Sequence, residues 1–241
     1  RVVALVSIAV AVLLGASAAR AANPVVRIAT SLGNIDIELC NEVSTLCLDV
    51  APNTVANFLS YVDSGAYDNS FIHRAVTDFV DQGGSYKADG VNFPITAVET
   101  QAPIANEFNQ SNLRGTVAVT LPGATQCDTD ENAGTSGWFI NLSDLNAALD
   151  CGLFTVFGVV RAGMDVADAI NLLFRVNFGL GGSPVRADYV CAPIPPSTDC
   201  TTNPVPYLIY TNITRVPEAN AALQLLSAVL ALGTLARRQA R

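Results

Sequence analysis

The sequence reads FIHRAVTDFVDQGG over residues 71–84, and no other stretch of the chain is as informative. Residues 71–75 and 79–82 are short runs that favour β-strands, and three residues separate them. The glycines that follow, Gly83 and Gly84, predict a turn rather than a phosphate-binding loop, because no helix containing a lysine comes after them. His73 is the only histidine of the chain, so a metal site that uses several histidines is excluded.

Many short strands and two helices are predicted on either side of this stretch. A helix begins at Pro52, presents an apolar stripe that includes Val55 and Phe58, and stops at Gly65. A second helix is predicted over residues 164–173. Further strands are predicted at residues 25–30, 35–39, 116–120, 138–141, 155–160 and 207–213, with a hairpin turn at Gly33 and Asn34. This pattern predicts a mainly β fold, a closed eight-stranded antiparallel barrel capped by two helices. Because eight strands leave an interior filled by side chains, we expect a binding site on the outer surface.

The composition excludes several classes of protein. Of 241 residues, 50% are hydrophobic, which excludes a disordered chain. The formal net charge is -8, so the chain lacks the basic face that a nucleic-acid binder needs. The acidic residues Asp128, Asp130 and Glu131 do not form a complete calcium-loop pattern. We therefore expect no metal, no cofactor and no nucleic-acid partner.

The N-terminal residues 1–21 have the pattern of a signal peptide. Arg1 precedes an apolar run, and the triplet Ala19-Arg20-Ala21 is a small-x-small cleavage site. We expect export and cleavage after Ala21, and the alternative is an uncleaved membrane anchor.

The C-terminal residues 216–241 form an apolar tail. The order Val216-Pro217-Glu218, apolar run, arginine cluster resembles the sorting signals of bacterial surface proteins, although Ala219 replaces the usual second proline. The run is slightly short for a membrane span, and the alternative to a membrane anchor is an amphipathic helix. Residues 22–215, the expected single domain, contain 8 basic and 20 acidic side chains, a net charge of -12. An acidic, lysine-poor surface of this kind suits an exported protein.

Six cysteines also fit an oxidising compartment. Their neighbourhoods suggest the pairs Cys40–Cys47, Cys191–Cys200 and Cys127–Cys151. Because six cysteines allow 15 connectivities, other pairings stay open.

The stretch quoted first resembles the cyclophilin family of peptidyl-prolyl isomerases. The family pattern is close to F-H-R-x-x-x-x-F-x-x-Q-G-G, and His73, Arg74, Phe79 and Gln82 match it at the right spacing. The resemblance covers about residues 25–215 and is closest to the exported bacterial branch. Five further segments match in order: the hairpin T-x-x-G-x-I-x-I-x-L from Thr30, APNTVANFLSYVDSGAYDNS, NEFNQSNLRGTVAVT, TSGWFINL and FTVFGVVRAGMDVADAI.

The resemblance implies an enzyme that rotates X–Pro bonds of exported proteins, in the periplasm or at the cell surface. Arg74 would donate a hydrogen bond to the prolyl nitrogen, and Gln82 would hold the guanidinium and contact the substrate backbone. Proline-containing peptides are the implied partners, and we expect a monomer. The family match also assigns a substrate-binding set, with an apolar pocket and one position of the backbone clamp: Phe79, Val80, Phe139, Leu149 and Phe154 for the pocket, and Thr120 for the clamp.

Other interpretations of the same residues stay open. Phe79 and Phe139 fit a core as well as a pocket, and the resemblance gives His73 a structural role. Gly137 stands where the family often has a glutamine that orients the arginine. A cyclophilin-like module that binds proline segments with little or no turnover, as a chaperone or surface protein, is therefore the alternative function. In a purely structural protein, the enlarged loop at residues 122–135 would block the groove.

Overall fold

The computed structural model describes residues 22–89, 94–123, 127–176, 183–184 and 208–217. Alternation of apolar and polar residues sets the strands, as in the second one, where Ile35, Ile37 and Leu39 are buried and Asp36 and Glu38 are partly exposed. The strands are β1 (Val25–Thr30), β2 (Gly33–Leu39), β3 (Ser70–Phe71), β4 (Arg74–Val76), β5 (Val80–Gly83), β6 (Tyr86–Lys87), β7 (Thr96–Ala97), β8 (Thr116–Val119), β9 (Trp138–Asn141), β10 (Val156–Ala162), β11 (Arg175–Val176), β12 (Ser183–Pro184) and β13 (Tyr210–Arg215).

Eleven of these strands form one curled antiparallel sheet in the order β4-β5-β9-β8-β10-β2-β1-β13-β3-β6-β7. Strands β3 and β4 are separated along the chain by Ile72 and His73 alone. The Ile72 amide donates to the Ile209 carbonyl at 2.9 Å, and the His73 amide donates to the Gln82 carbonyl at 3.0 Å. The stretch that contains Arg74 therefore connects β4, at one end of the sheet, with β3, the third strand from the other end.

In the described part of the chain, three helical elements pack around the sheet. Helix α1 (Pro52–Asp63) starts with proline in its first turn and ends at Asp63. Ser64 is its C-cap and is followed by Gly65 with φ of +70°. A 3-10 helix covers Asp144–Gly152, and α2 covers Met164–Asn171. Val55, Phe58 and Leu59 are buried on the inner face of α1, as their spacing predicts.

The mainly β class and the antiparallel barrel-like architecture are confirmed, but three details of the prediction are wrong. The sheet has eleven strand segments rather than eight, because short strands such as β6 and β7 extend one end. The 3-10 helix adds a third helical element. The first hairpin turns at Ser31 and Leu32, and Gly33, with φ of +140°, is already the first residue of β2.

Two of the three suggested disulfides are present. Cys40 is bonded to Cys47, and Cys127 is bonded to Cys151. Cys191 and Cys200 lie outside the described residues, as do the predicted signal peptide and the apolar run of the tail. Over the part of the chain that is described, no helix is long and apolar enough to cross a membrane.

Candidate active site

The hairpin of β4 and β5 places Arg74 beside Gln82. The two residues are directly paired in the strand register, so their side chains lie on the same face. Arg74 Nη1 donates to Gln82 Oε1 at 3.3 Å. The guanidinium carbon of Arg74 lies 5.9 Å from the centroid of the Phe79 ring, within range of a cation–π interaction. This geometry orients a cationic donor beside an aromatic surface.

A cleft of about 910 Å³ surrounds this arginine on the outside of the barrel. The structure brings all eight residues predicted for the site into its lining. They are Arg74, Phe79, Val80, Gln82, Thr120, Phe139, Leu149 and Phe154. Their individual roles in catalysis and binding stay predictions.

The apolar wall of the cleft comes from three separate elements. Phe139 lies opposite Gln82 in the pairing of β5 with β9, and its ring meets Phe154 edge to face, with centroids 5.8 Å apart. Leu149 is on the 3-10 helix. Val80, Phe139, Leu149 and Phe154 are each less than 10% exposed. These side chains therefore belong to the core and line the cleft at the same time. A substrate-binding role for Phe139 stays a prediction.

Phe79 is held by its backbone. Asn146 Nδ2 donates to the Phe79 carbonyl at 2.7 Å, and the Leu142 amide donates to the same oxygen at 2.8 Å. Asn146 Nδ2 also donates to Asn141 Oδ1 at 2.7 Å. The 3-10 helix is thereby fastened to the residue whose ring faces the arginine.

Gly83 and Gly84 make room for a tryptophan. A Cβ atom on Gly83 would lie 2.5 Å from the Trp138 ring, and one on Gly84 would lie 2.5 Å from the Ser136 carbonyl oxygen. Gly84 also has φ of +79°, a region that glycine adopts without strain. The glycine pair is therefore a close-packing feature.

The surroundings of Gly137 leave no room for a side chain at this position. A Cβ atom there would lie 2.1 Å from Thr120 Oγ1 and 2.9 Å from Ser85 Oγ. The Thr120 amide donates to the Gly137 carbonyl at 2.9 Å, which fixes the two residues against each other. In this chain the Thr120 side chain thus occupies the volume into which a side chain at position 137 would start.

Burial lowers the pKa of both basic side chains in the motif. Burial, followed by the positive charge of Arg74, lowers the pKa of His73 from 6.5 to about 4, so the imidazole is neutral at pH 7. Its ring packs edge to face on Tyr86, with centroids 5.0 Å apart. Burial also lowers the pKa of Arg74, but an arginine stays protonated at neutral pH. The site therefore presents one fixed positive charge and a neutral, packed imidazole.

Several cleft residues were not predicted. No periodicity or motif in a single sequence marks them, because they come from loops, from the 3-10 helix and from the two-residue strand β6. They include Ser85, Tyr86, Leu145 and Asn146. Among the described residues, no group of three His, Cys, Asp or Glu side chains could hold a metal ion.

Comparisons with known proteins agree with this site. Residues 25–186 match the family model "Cyclophilin type peptidyl-prolyl cis-trans isomerase/CLD". The chain is 37% identical over 179 residues to a peptidyl-prolyl cis-trans isomerase of Acinetobacter baylyi, which covers 71% of this chain and 86% of the relative. It is 35% identical over 160 residues to peptidyl-prolyl cis-trans isomerase A of Dickeya dadantii, which covers 64% of this chain and 74% of that relative.

A solved structure shows the same fold. The crystal structure of a cyclophilin-type peptidyl-prolyl cis-trans isomerase of Cryptosporidium parvum superposes with a TM-score of 0.50 at 20% sequence identity, and the match covers 81% of this chain and 99% of that chain. The arginine–glutamine pair, the apolar cleft beside it and the family match over two thirds of the sequence lead to one conclusion: the chain belongs to the cyclophilin-type peptidyl-prolyl cis-trans isomerase family.

Proposed function

We propose that this protein accelerates cis–trans rotation of X–Pro bonds in exported proteins. The observation that supports this most directly is Arg74, held by Gln82 and facing the Phe79 ring in an apolar cleft. The cleft can take a proline ring against its apolar wall, which leaves the prolyl nitrogen beside the guanidinium.

The chemistry requires no nucleophile and no cofactor. Amide resonance sets a barrier of roughly 18–20 kcal/mol to rotation about the peptide bond. When the bond twists, the prolyl nitrogen loses resonance and gains a lone pair that can accept a hydrogen bond. Arg74 donates to that lone pair, so its interaction is stronger in the twisted state than in either planar state. An interaction of this kind raises the rate rather than the affinity alone.

The first test measures isomerisation of a short X–Pro peptide by the purified protein and by its Arg74→Ala variant. We expect kcat/KM to fall at least tenfold, which is on the order of 1.4 kcal/mol of transition-state stabilisation. Arg161→Ala is the matched control, because Arg161 is an exposed arginine of β10 outside the cleft lining. Equal losses in both variants, or no catalysis by the folded wild-type protein, would refute the enzymatic proposal.

A binding module with little or no turnover is the second candidate. Gly137 supplies no side chain to orient the arginine, and within the described residues Gln82 is the only side chain that accepts a hydrogen bond from Arg74. Peptide binding without catalysis in the same experiment would favour this candidate. The structural alternative requires a blocked groove, yet Pro122 and Gly123 of the enlarged loop form part of the cleft wall.

The proposed location is the periplasm or the cell surface. Residues 1–21 have the pattern of a cleaved leader, and residues 216–241 that of a sorting signal or anchor. The two disulfides support an oxidising compartment. We propose residues 22–215 as the isomerase domain and a monomeric state for it.

Sequencing the N-terminus of the protein recovered from its host tests the leader, since cleavage after Ala21 leaves Ala22 first. Fractionation with and without residues 218–241 tests the tail, because loss of an anchor moves the protein from the membrane to the soluble fraction. An intact N-terminus in a cytoplasmic fraction would overturn the proposed location.

A further inference from the structure

A buried carboxyl group lies directly behind the catalytic hairpin. Asp81 is 1% exposed and sits in β5 between Val80 and Gln82. Because successive side chains of a strand point to opposite faces, Asp81 projects away from the cleft that its two neighbours line. Its strand partners Ala75 and Ile140 carry no titratable group.

The last residue of α2, Asn171, packs on this carboxyl group. Asn171 is 5% exposed, and its Nδ2 donates to Asp81 Oδ1 at 2.8 Å. The same nitrogen donates to the Val76 carbonyl at 3.1 Å and lies 3.5 Å from the Val80 carbonyl. Asn171 Oδ1 accepts from the Asp78 amide at 3.3 Å. One side chain thus contacts both strands of the hairpin and the turn between them.

The turn that Asn171 contacts is the one that ends at Phe79. Asp78 has φ of 53°, a left-handed conformation that a non-glycine residue keeps only when its surroundings hold it there. The bond from the Asp78 amide to Asn171 Oδ1 is one such restraint. A shift of this turn would move Phe79 and the register that places Arg74 opposite Gln82.

We propose that Asn171 and Asp81 are positioning residues for proline isomerisation, which hold the β4–β5 turn from the face opposite the cleft and make its geometry depend on the protonation of Asp81. This inference rests on the proposed function. Neither residue lines the cleft, so both act through Phe79 and Arg74.

The surroundings of Asp81 favour its protonated form near neutral pH. The pKa of Asp81 is raised to about 7, with burial as the largest cause and the nearby charge of Asp168 acting in the same direction. The Asn171 hydrogen bond and the charge of Arg175 act in the opposite direction. Asp168 and Arg175 are the charged groups that face it from α2 and from β11, and Asp168 is paired with Arg114 at 2.7 Å.

Ionisation of Asp81 changes the competition for one amide group. Asn171 Nδ2 has two hydrogens, and three oxygens lie within 3.5 Å of it. An ionised carboxylate is the stronger acceptor, so it draws the amide away from the Val76 and Val80 carbonyls. The contacts of Asn171 with the Val76 and Val80 carbonyls, which flank the turn, are therefore strongest while Asp81 is protonated.

The test is the pH profile of kcat/KM for wild type, Asp81→Asn and Asn171→Ala, with the binding of an X–Pro peptide measured by calorimetry on the same samples. We expect wild-type kcat/KM to fall as the pH rises through about 7, and Asp81→Asn, which mimics the protonated form, to lose that fall. Asn171→Ala should raise KM and the peptide Kd about fivefold, which corresponds to one hydrogen bond of about 1 kcal/mol, with a smaller change in kcat.

Asn109→Ala is the matched control, because Asn109 donates its amide to the Val50 carbonyl away from the cleft. A merely structural role would lower the melting temperature of the variants without changing the pH profile or the ratio of KM to kcat. The proposal is overturned if Asp81→Asn keeps the wild-type profile, or if folded Asn171→Ala binds peptide like the control. If the wild type binds the peptide but does not catalyse its isomerisation, the proposed function fails. The peptide Kd values measured across pH on the same samples still decide whether Asn171 and Asp81 act as positioning residues.

Discussion

Gly137 and Thr120 share one small volume at the edge of the cleft. Because a Cβ atom on Gly137 would lie 2.1 Å from Thr120 Oγ1, we expect Gly137→Ala to destabilise the protein by about 1–3 kcal/mol through overpacking. In a Thr120→Ala background the same change should cost little. Urea unfolding of the two single variants and the double variant measures the coupling. Additive effects would show that the backbone yields instead of the threonine side chain.

His73 and Asp81 give the stability opposite dependences on pH. The folded-state pKa of His73, about 4, is below its unfolded value of 6.5, so its contribution is present above pH 6.5 and lost as the pH falls towards 4. The folded-state pKa of Asp81, about 7, is above its unfolded value of 3.8, so its contribution is present at low pH and lost as the pH rises towards 7. In Asp81→Asn we therefore expect the unfolding free energy to rise with pH between about 4 and 6.5 more steeply than in wild type.

Urea unfolding across that pH range checks this expectation. A His73→Phe variant should show the reverse slope, with stability falling as the pH rises. Parallel curves for wild type and Asp81→Asn would mean that the carboxyl group titrates alike in the folded and unfolded chains.

The 3-10 helix depends on a covalent link at its C-terminal end. Cys151 lies in the helix that carries Leu149. Its disulfide to Cys127 joins two residues that are 24 positions apart in the sequence. The Cys40–Cys47 disulfide joins residues only 7 positions apart and lies between β2 and α1, away from the cleft. We expect Cys127→Ser with Cys151→Ser to raise KM for an X–Pro peptide severalfold, because the Leu149 wall loses a restraint.

The matched comparison replaces Cys40 and Cys47 by serine in the same way, and peptide kinetics are measured on both proteins. We expect that control to leave KM unchanged. The longer link should also give the larger loss of unfolding free energy in the chain-entropy description. Equal KM values for the two proteins would show that the 3-10 helix is held by its hydrogen bonds alone.

The elements show where a single sequence is informative and where it is not. Strands β1 and β9 have the predicted bounds, because strong alternation or dense apolar runs define them. The 3-10 helix has no periodic apolar face, and its hydrogen bonds run to distant residues such as Asn112 and Thr129. The first hairpin was misplaced because Gly33 looks like a turn residue but begins β2.

Some residues of the candidate site could also be predicted from the sequence, and others could not. Arg74, Phe79 and Gln82 could be found because the family motif fixes their spacing. Asn146 and Asn171 could not, because an asparagine that binds a carbonyl dozens of residues away leaves no local pattern. The residues proposed to contact the substrate could be predicted from the motif, whereas the residues that hold them in place required the fold.

The whole molecule carries a large excess of negative charge. Residues 22–215 have a net charge of -12. The ion pairs among the described residues include those of Arg27, Arg114 and Arg215. Since salt screens repulsion between exposed charges, we expect sodium chloride to raise the melting temperature at pH 7. Near about pH 4, where many carboxyl groups are protonated, that gain should shrink. If salt raised the melting temperature equally at both pH values, the effect would come from ion pairs or from solvation instead of from repulsion between carboxylates.

The start of β1 lies beside the end of β13, the last strand in the described part of the chain. Strands β1 and β13 are paired along their length, and the Val216 amide donates to the Val25 carbonyl at 2.8 Å. A host protein could therefore receive the barrel through two short peptide joints in a single surface loop, without its own fold being pulled apart. In that arrangement the isomerase domain is inserted as a unit. The direction in which its cleft faces then depends only on which loop of the host accepts it.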